Sequence, residues 1–229
     1  NAMLAQRISS INSLSSLCQK TGAKINELSS AIGLDHRIGP HFLEPSVGFG
    51  GSCFKKDILN LVYICQHYGL YEVAEYWNQV VLINDHKIRD FASRIVNKFS
   101  SDLSNIKIII LGWAFKANTN DSRESPSIYV AEELYLANAS LSIYDPLVEK
   151  EKIINDIKTY WKKNKNLKKI ISDISIFGNK TFDIESYDVC VILTEWEEFK
   201  EIDFKGKVVF DGRNLLLKAP NKNYEYHSL

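Results

Sequence analysis

The chain has 229 residues, enough to bury a hydrophobic core and to form one or two domains. Hydrophobic residues make up 45% of it and charged residues 24%, which is ordinary for a globular protein in water. The formal net charge is zero, no apolar run has membrane-spanning length and no signal-peptide pattern is present. These features predict a cytoplasmic protein without a nucleic-acid or membrane partner.

Residues 1–100 predict an all-helical domain. Apolar residues recur at helical spacing from Leu4 to Cys18, and again along one face of a long helix from Trp77 to Ile95. Four helices are therefore expected, at about residues 4–18, 25–32, 54–68 and 73–99. The segment 34–52 carries prolines and glycines and is expected to be non-helical.

The pattern changes after the polar segment 100–105, which we interpret as a domain boundary. Ser125 and Pro126 resemble an N-cap and a first-turn proline, so a helix is expected from there to about residue 138. The lysine-rich stretch 158–169 is interpreted as a solvated helix face and loop. Buried strands are predicted at residues 106–112, 141–144, 188–194 and 207–210. This alternation predicts a mostly parallel, Rossmann-like α/β domain over residues 105–229, with ligands at the carboxyl ends of its strands.

The most informative segment is the glycine-rich loop that leads into Cys53. Its glycines leave space for a ligand to approach the backbone, and Cys53 is expected near a helix N-terminus, where a thiolate is favoured. Lys55 and Lys56 are expected to add positive charge nearby. Asp57 follows Cys53 by four residues, so both side chains share one helix face. The segment therefore suits a thiol nucleophile.

The other cysteines, Cys18, Cys65 and Cys190, stand in apolar surroundings and are predicted to be buried structural thiols. No C-x-x-C pair or His–Cys cluster occurs, so neither a metal site nor a disulfide framework is predicted. A reducing compartment fits this cysteine usage best.

Taken together, the cysteine loop and several other segments resemble the UDP-glucose 6-dehydrogenase family of nucleotide-sugar dehydrogenases. The matching segments are residues 4–13 (LAQRISSINS), 37–39 with Phe42, 111–116 (LGWAFK), 121–127 (DSRESPS), 144–146 (YDP) and 211–213 (DGR). Each fragment is modest alone, but their order and spacing across nearly the whole chain are specific.

This resemblance implies an NAD-dependent enzyme with three parts, of which the chain contains the central helical domain and the carboxyl-terminal UDP-binding domain. No G-x-G-x-x-G motif for the cofactor NAD is present, so the chain alone is expected to be inactive. The resemblance also implies dimerisation through the long helix and UDP-glucose as substrate. Three alternatives remain: another nucleotide sugar such as a UDP-N-acetylhexosamine or GDP-mannose, a non-catalytic nucleotide-sugar-binding or assembly module, and a helical dimerisation domain that binds no nucleotide.

By resemblance, Cys53 is the nucleophile that forms a thiohemiacetal and then a thioester, and Asp57 supports it by holding a water or a neighbouring cation. The competing interpretations are a buried thiol for Cys53 and a carboxylate that only complements the helix N-terminus for Asp57. Asn1 resembles a family asparagine of the site, but Asn1-Ala2-Met3 also resembles a cloning scar, so Asn1 is given no role.

The resemblance further assigns six substrate-binding residues and one residue near the cofactor. The substrate-binding residues are Arg37, which reaches a partner subunit's site, and Phe42, Gly50, Phe115, Lys116 and Arg213; Arg123 lies near the cofactor. A core aromatic is the alternative for Phe42, a plain turn for Gly50 and a surface ion pair for Arg123. Glu44 departs from the family pattern, since relatives of the animal enzyme often carry lysine there, and an acid would repel a diphosphate.

Overall fold

The computed structural model describes residues 1–161, 166–178, 182–219 and 223–229. Its first part is helical, as predicted, and its second part is an α/β unit built on a parallel sheet. We refer to these parts as the helical lobe and the sheet lobe. The four helices of the helical lobe are α1 (Ala2–Thr21), α2 (Ile25–Gly33), α3 (Phe54–His67) and α4 (Tyr71–Lys98). All four lie within a few residues of the predicted positions.

The helical lobe is held together by packing of α1 and α3 against the first half of α4. Ala5, Ile58, Val62 and Val81 are buried in the shared core, as their helical spacing requires. A second small core lies under α2 and contains Ile11, Cys18, Ile25 and Leu43. The loop before α3 is left at the edge of this lobe, next to the sheet.

The sheet lobe has six parallel strands in the order β3-β2-β1-β4-β5-β6. The strands are β1 (Lys107–Leu111), β2 (Ser140–Tyr144), β3 (Ser175–Phe177), β4 (Val189–Ile192), β5 (Val208–Asp211) and β6 (Glu225–His227). Helices α5 (Pro126–Leu136), α6 (Lys150–Tyr160) and α7 (Leu167–Asp173) connect them. The predicted cap of α5 is confirmed, because the Ser125 side chain accepts a hydrogen bond from the Ser127 amide and Pro126 occupies the first turn.

The structure contains two strands that the sequence did not predict, and it has two helices where the sequence predicted one. Strands β3 and β6 were not predicted, and each has only three residues at an edge of the sheet. Two helices, α6 and α7, stand where one lysine-rich helix was expected. Part of that lysine-rich stretch, residues 162–165, lies outside the described residues.

The second half of α4 joins the two lobes. Ile88, Phe91 and Ile95 are buried in the same core as the sheet, and the ring of Phe91 packs edge-on against Phe210 of β5, with centroids 6.4 Å apart. This contact brings the loop before α3 against the carboxyl ends of the strands. Among the described helices, none is both long enough and apolar enough to cross a membrane.

Candidate active site

Cys53 lies at the point where the glycine-rich loop meets α3, as its N-cap residue. Its side chain is exposed, whereas Cys18, Cys65 and Cys190 are buried. The predicted contrast between one accessible thiol and three buried thiols is therefore confirmed. Burial raises the pKa of the Cys190 thiol to about 12. Among the four cysteines, Cys53 is therefore the one that a reagent in water can reach.

The loop before Cys53 is held by hydrogen bonds from both lobes. The buried Asn84 of α4 accepts a hydrogen bond from the Phe49 amide at 2.8 Å and donates one to the Phe49 carbonyl at 3.1 Å. The Val47 amide donates to the Gly212 carbonyl at 2.8 Å. These bonds satisfy backbone groups that a buried loop would otherwise leave unpaired, so the loop has a fixed conformation.

Gly50 lies where the two lobes come closest. A Cβ atom at this position would stand 2.5 Å from the Glu124 carbonyl oxygen and 2.9 Å from the Ser125 Cα, and both are backbone atoms that cannot rotate away. The adjacent Gly51 amide donates to the Arg123 carbonyl at 2.7 Å. Glycine at this position is thus required by the contact between lobes, whatever contact it makes with a ligand.

Asp57 lies one helical turn beyond Cys53 and is exposed. Its backbone amide donates to the Cys53 carbonyl at 2.8 Å, and the Asn1 side-chain amide donates to its Oδ2 at 2.5 Å. Sequence reasoning left Asn1 without a role, although its place just before α1 was the available signal. Hydrogen bonds thus link Asn1 to Asp57 and Asp57 to the backbone of Cys53.

The cleft between the lobes has a volume of about 760 Å³. It brings together five of the six residues assigned to substrate binding by resemblance: Phe42, Gly50, Phe115, Lys116 and Arg213. Its wall also contains Ile8, Pro40, His41, Glu44, Pro45, Ser46, Gly48, Phe49, Phe54 and Glu195. A neighbouring cleft of about 730 Å³ shares three of these residues, Glu44, Glu195 and Arg213. The two clefts therefore adjoin at these three side chains.

Arg213 follows β5, and its guanidinium is largely buried behind the cleft wall. Its Nε donates to the Leu193 carbonyl at 2.8 Å and its Nη2 donates to the Phe115 carbonyl at 3.1 Å. Glu195 supplies a carboxylate oxygen 3.3 Å from the Arg213 Nε. Burial lowers the pKa of Arg213, and Glu195 and Asp211 oppose that effect. Arg213 thus ties three strand-end loops together.

Sequence reasoning did not single out Glu195, although it follows β4 at the ligand-binding edge of the sheet. One of its oxygens accepts a hydrogen bond from the Ala117 amide at 3.2 Å, and the other is buried beside Arg213. Its position just beyond a parallel strand was the signal that could have identified it.

The charges on the cleft wall balance. Lys116 is exposed, and its ammonium lies 5.5 Å from the ring centroid of Phe115. Glu44 is also exposed, at the junction of the two clefts. Lys116 and Arg213 provide two positive charges, and Glu44 and Glu195 provide two negative charges. The wall therefore has no net positive charge that would attract an anionic ligand. Attraction of an anion would have to come from local contact with the exposed Lys116.

Phe42 is 43% exposed and lines the cleft, so it is not the core aromatic that was its alternative. Its backbone has a φ of 60°, in the left-handed region that few aromatic residues adopt. Non-glycine residues in this strained conformation cluster at ligand sites, where the surrounding structure holds them in place.

Two carboxylates at strand ends explain why the YDP and DGR segments shape the cleft. Asp145 accepts hydrogen bonds from the Trp113 and Ala114 amides at 2.6 and 2.9 Å, which fixes the turn leading to Lys116. Asp211 accepts from the Arg213 amide at 3.0 Å. Both carboxylates are buried and act on the backbone, so they support the cleft without lining it.

Arg37 and Arg123 do not line the cleft. Arg37 is exposed and forms a two-point ion pair with Asp35, which raises the pKa of the arginine. Arg123 forms a similar pair with Asp121, as its alternative interpretation proposed. The pKa of Arg123 is raised mainly by this hydrogen bond. The Arg123 carbonyl accepts the amide of Gly51, two residues before Cys53, but Arg123 does not line the cleft.

Lys55 is paired with two carboxylates. Its ammonium lies 3.0 Å from Glu124 of the sheet lobe and 3.9 Å from Asp85 of α4. The positive charge that the sequence predicts near Cys53 is therefore balanced by acids in the case of Lys55. Lys56 is exposed, and its role stays a prediction.

The turn after β1 does not form a cradle for a pyrophosphate. The glycine that ends β1, Gly112, has a φ of 100°, and a Cβ there would stand 2.4 Å from the Thr194 Cβ. This glycine thus serves packing between strand ends rather than close approach of a pyrophosphate. Within the described ranges, no group of three or more His, Cys, Asp or Glu side chains could hold a metal ion.

Both lobes match domains of one known protein family. Sequence models of the UDP-glucose/GDP-mannose dehydrogenase family match the chain twice, the central domain over residues 1–86 and the UDP binding domain over residues 109–218. UDP-glucose 6-dehydrogenase 3 of Arabidopsis thaliana is 49% identical over 94% of the chain and 48% of the relative, and the Drosophila melanogaster UDP-glucose 6-dehydrogenase is 46% identical over 94% and 47%.

A solved structure gives the same pattern. The UDP-glucose dehydrogenase of the archaeon Pyrobaculum islandicum superimposes with a TM-score of 0.79 at 28% identity, over 98% of the chain and 48% of that structure. The chain therefore spans about half the length of the relatives it matches.

Proposed function

Because the chain belongs to the UDP-glucose/GDP-mannose dehydrogenase family, we propose that it is the thiol-bearing, nucleotide-sugar-binding part of a UDP-glucose 6-dehydrogenase. One observation carries this proposal: an exposed cysteine, Cys53, directly precedes Phe54, which lines a cleft together with Lys116 and Phe115. All four cysteines are free, which supports a reducing compartment such as the cytoplasm.

In the proposed reaction the C6 alcohol of the sugar becomes a carboxylate by way of an aldehyde. The Cys53 thiolate adds to the aldehyde carbon, the carbonyl electron pair moves to oxygen and takes up a proton, and a thiohemiacetal results. The C6 hydrogen then leaves as hydride to an acceptor and the hydroxyl proton passes to water, which gives a thioester. Water then attacks the same carbon, the carbon–sulfur bond breaks and the Cys53 thiolate is released with the carboxylate.

Asp57 supports hydrolysis in this scheme. It lies one turn from Cys53, and its Oδ2 accepts a hydrogen bond from Asn1. An exposed carboxylate in this place can hold a water close to the carbon bound to sulfur. Asn1 then keeps the carboxylate oriented toward the thiol.

The nucleotide is proposed to lie in the cleft of about 760 Å³. Lys116 is the exposed cation of the wall and the proposed phosphate contact, while Phe42 and Phe115 offer aromatic faces for the ligand. Arg213 is occupied by carbonyl groups and Glu195, so its proposed contribution is to shape the phosphate end of the cleft.

The oxidation needs a hydride acceptor, which is NAD in this family by resemblance. Gly112 does not leave space for a pyrophosphate, so we propose that NAD is bound mainly by residues other than those of this cleft, with Arg123 at the margin. No step is assigned to this chain's residues in hydride transfer.

Titration calorimetry of the chain with UDP tests the proposal. Binding is expected, and Lys116→Met is expected to weaken it about tenfold, because loss of one charge-assisted hydrogen bond costs about 1.5 kcal/mol. Glu44→Lys is expected to tighten binding, since it replaces a repelling charge with an attracting one. The control is Lys24→Met, which removes an exposed lysine at the N-cap of α2. Absence of heat with UDP and with UDP-glucose would contradict the proposal.

We also propose a homodimer formed through the helical lobe. Large apolar and aromatic side chains remain exposed at the end of α3 and the start of α4, among them Tyr63 at 67% and Tyr71 at 68%. Arg37 is also exposed on this lobe, and it would reach a partner's cleft by opening its ion pair with Asp35. Tyrosine-rich apolar faces are typical of protein interfaces.

Light scattering after gel filtration tests the dimer. The chain is expected to elute as a dimer, and Tyr63→Asp with Tyr71→Asp is expected to convert it to a monomer, because two buried charges oppose association. Leu147→Asp, at a 50% exposed residue of the sheet lobe, is the matched control and should stay dimeric. A monomeric parent chain would refute this interface.

A further inference from the structure

A cluster of four polar side chains joins the lobes beside Cys53. We call it the Lys55 cluster; its members are Lys55, Asp85, Glu124 and Tyr129. The Lys55 ammonium lies 3.0 Å from the Glu124 Oε2 and 3.9 Å from the Asp85 Oδ1. The Tyr129 hydroxyl donates to the same Glu124 oxygen at 2.7 Å, and the ammonium lies 5.7 Å from the centroid of the Tyr129 ring.

The four members come from four different elements. Lys55 is in the first turn of α3, Asp85 is in the middle of α4, Glu124 lies in the turn before α5, and Tyr129 belongs to α5. The charged side chains are between 28% and 33% exposed, so water screens them less than it screens a surface pair. Burial is the main reason that the pKa values of Asp85 and Tyr129 are raised.

The backbone of the Glu124 turn contacts the glycine loop, which lies on the amino-terminal side of Cys53. Glu124 has a φ of 53°, in the left-handed region, so its turn is held in an unusual conformation. The carbonyl of Arg123 accepts the Gly51 amide at 2.7 Å, and the carbonyl of Glu124 is the atom that excludes a side chain at position 50. The Glu124 turn thus fixes the backbone of Gly51, two residues before Cys53, and the side chain of Lys55, two residues after it.

We infer that Glu124 is a positioning residue for Cys53, which it serves by holding Lys55 away from the thiol. This inference rests on the proposed role of Cys53 as the nucleophile. Glu124 fixes the first turn of α3 and neutralises the ammonium, so that Lys55 does not form an ion pair with the thiolate. The thiol is then held by the glycine loop and α3 alone, without a charged partner.

The rate of alkylation of Cys53 by iodoacetamide in the native chain tests this inference. Glu124→Gln frees the ammonium near the thiolate, so alkylation is expected to become about threefold faster, a modest coupling for contacting side chains. In a Lys55→Met background the same substitution is expected to leave the rate unchanged, because no ammonium is released. Lys55→Arg preserves the ion pair and should keep the parent rate.

Equal acceleration of Glu124→Gln in both backgrounds would overturn the inference, and so would an unchanged rate in the parent background. Glu225→Gln is the matched control, because it breaks the Lys98–Glu225 ion pair of the sheet lobe. If Glu124→Gln does not fold, as judged by circular dichroism, Glu124→Asp shortens the carboxylate and should give a smaller acceleration that also requires Lys55.

Calorimetry with UDP on the same preparations separates the two claims. The Lys55 cluster does not line the cleft, so its variants are expected to bind UDP with the parent affinity. A parent chain that fails to bind UDP defeats the proposed function, whereas the alkylation rates alone decide the role of Glu124.

Discussion

Iodoacetamide is expected to alkylate Cys53 of the native chain on the order of a thousandfold faster than Cys190 at pH 8. Cys53 is exposed at the start of α3, whereas Cys190 is buried in β4. Burial raises the pKa of Cys190 to about 12, and a thiolate population falls tenfold for each pKa unit above the working pH. Steric exclusion of the reagent lowers the rate at Cys190 further.

Mass spectrometry of the digested, alkylated protein measures this difference directly. Cys53→Ser should remove the single fast adduct, while Cys65→Ser should leave it, since Cys65 is buried. In denaturant all four cysteines should react at similar rates, which shows that the fold protects the other three. A fast adduct that survives Cys53→Ser would contradict the assignment of the accessible thiol.

Local sequence signals predicted the elements whose determinants are close together in the chain. The four helices of the helical lobe carry an apolar repeat that each helix satisfies by itself, and Ser125 with Pro126 starts α5 through contacts within three residues. The central strands were predicted because they are continuous apolar runs. The accessible cysteine was predicted because glycines and charges surround it in the sequence.

The structural features that the sequence did not predict depend on contacts between residues that are distant in the chain. Strand β6 contains Glu225 and His227, so it has no apolar run, and it exists because β5 offers an unpaired edge. Lys55 was expected to act on the neighbouring thiol, but its partner Glu124 is 69 residues away in the chain. Asn84 lies on the apolar face of α4, and nothing local indicates its two hydrogen bonds to Phe49.

The burial of Lys87 is another feature that the local sequence does not indicate. In the sequence it is an ordinary lysine of a long helix, yet it is only 1% exposed and its ammonium donates to the Ser15 hydroxyl of α1 at 3.1 Å. Burial lowers its pKa to about 8. Only the packing of α1 on α4 reveals that this side chain lies inside.

Gly50→Ala is expected to lower the free energy of unfolding by about 2–3 kcal/mol, the cost of overpacking a tight contact. The new Cβ would stand 2.5 Å from the Glu124 carbonyl oxygen and 2.9 Å from the Ser125 Cα. Gly50 is not among the glycines with positive φ, so its backbone accepts alanine and the whole cost comes from this overlap. Relief requires the lobes to separate at the cleft.

Gly178→Ala is the matched control for this substitution. Among the described residues, no heavy atom lies within 4 Å of the Cβ that it would add, and its φ is not positive, so it should leave stability unchanged or raise it by up to about 1 kcal/mol. Urea denaturation measures both variants, and calorimetry with UDP measures their clefts. A Gly50→Ala variant as stable as its parent but unable to bind UDP would assign Gly50 to ligand contact alone. Loss of both properties together supports the contact between lobes as the reason for glycine, because a displaced Glu124 turn also moves the wall that holds Phe115 and Lys116.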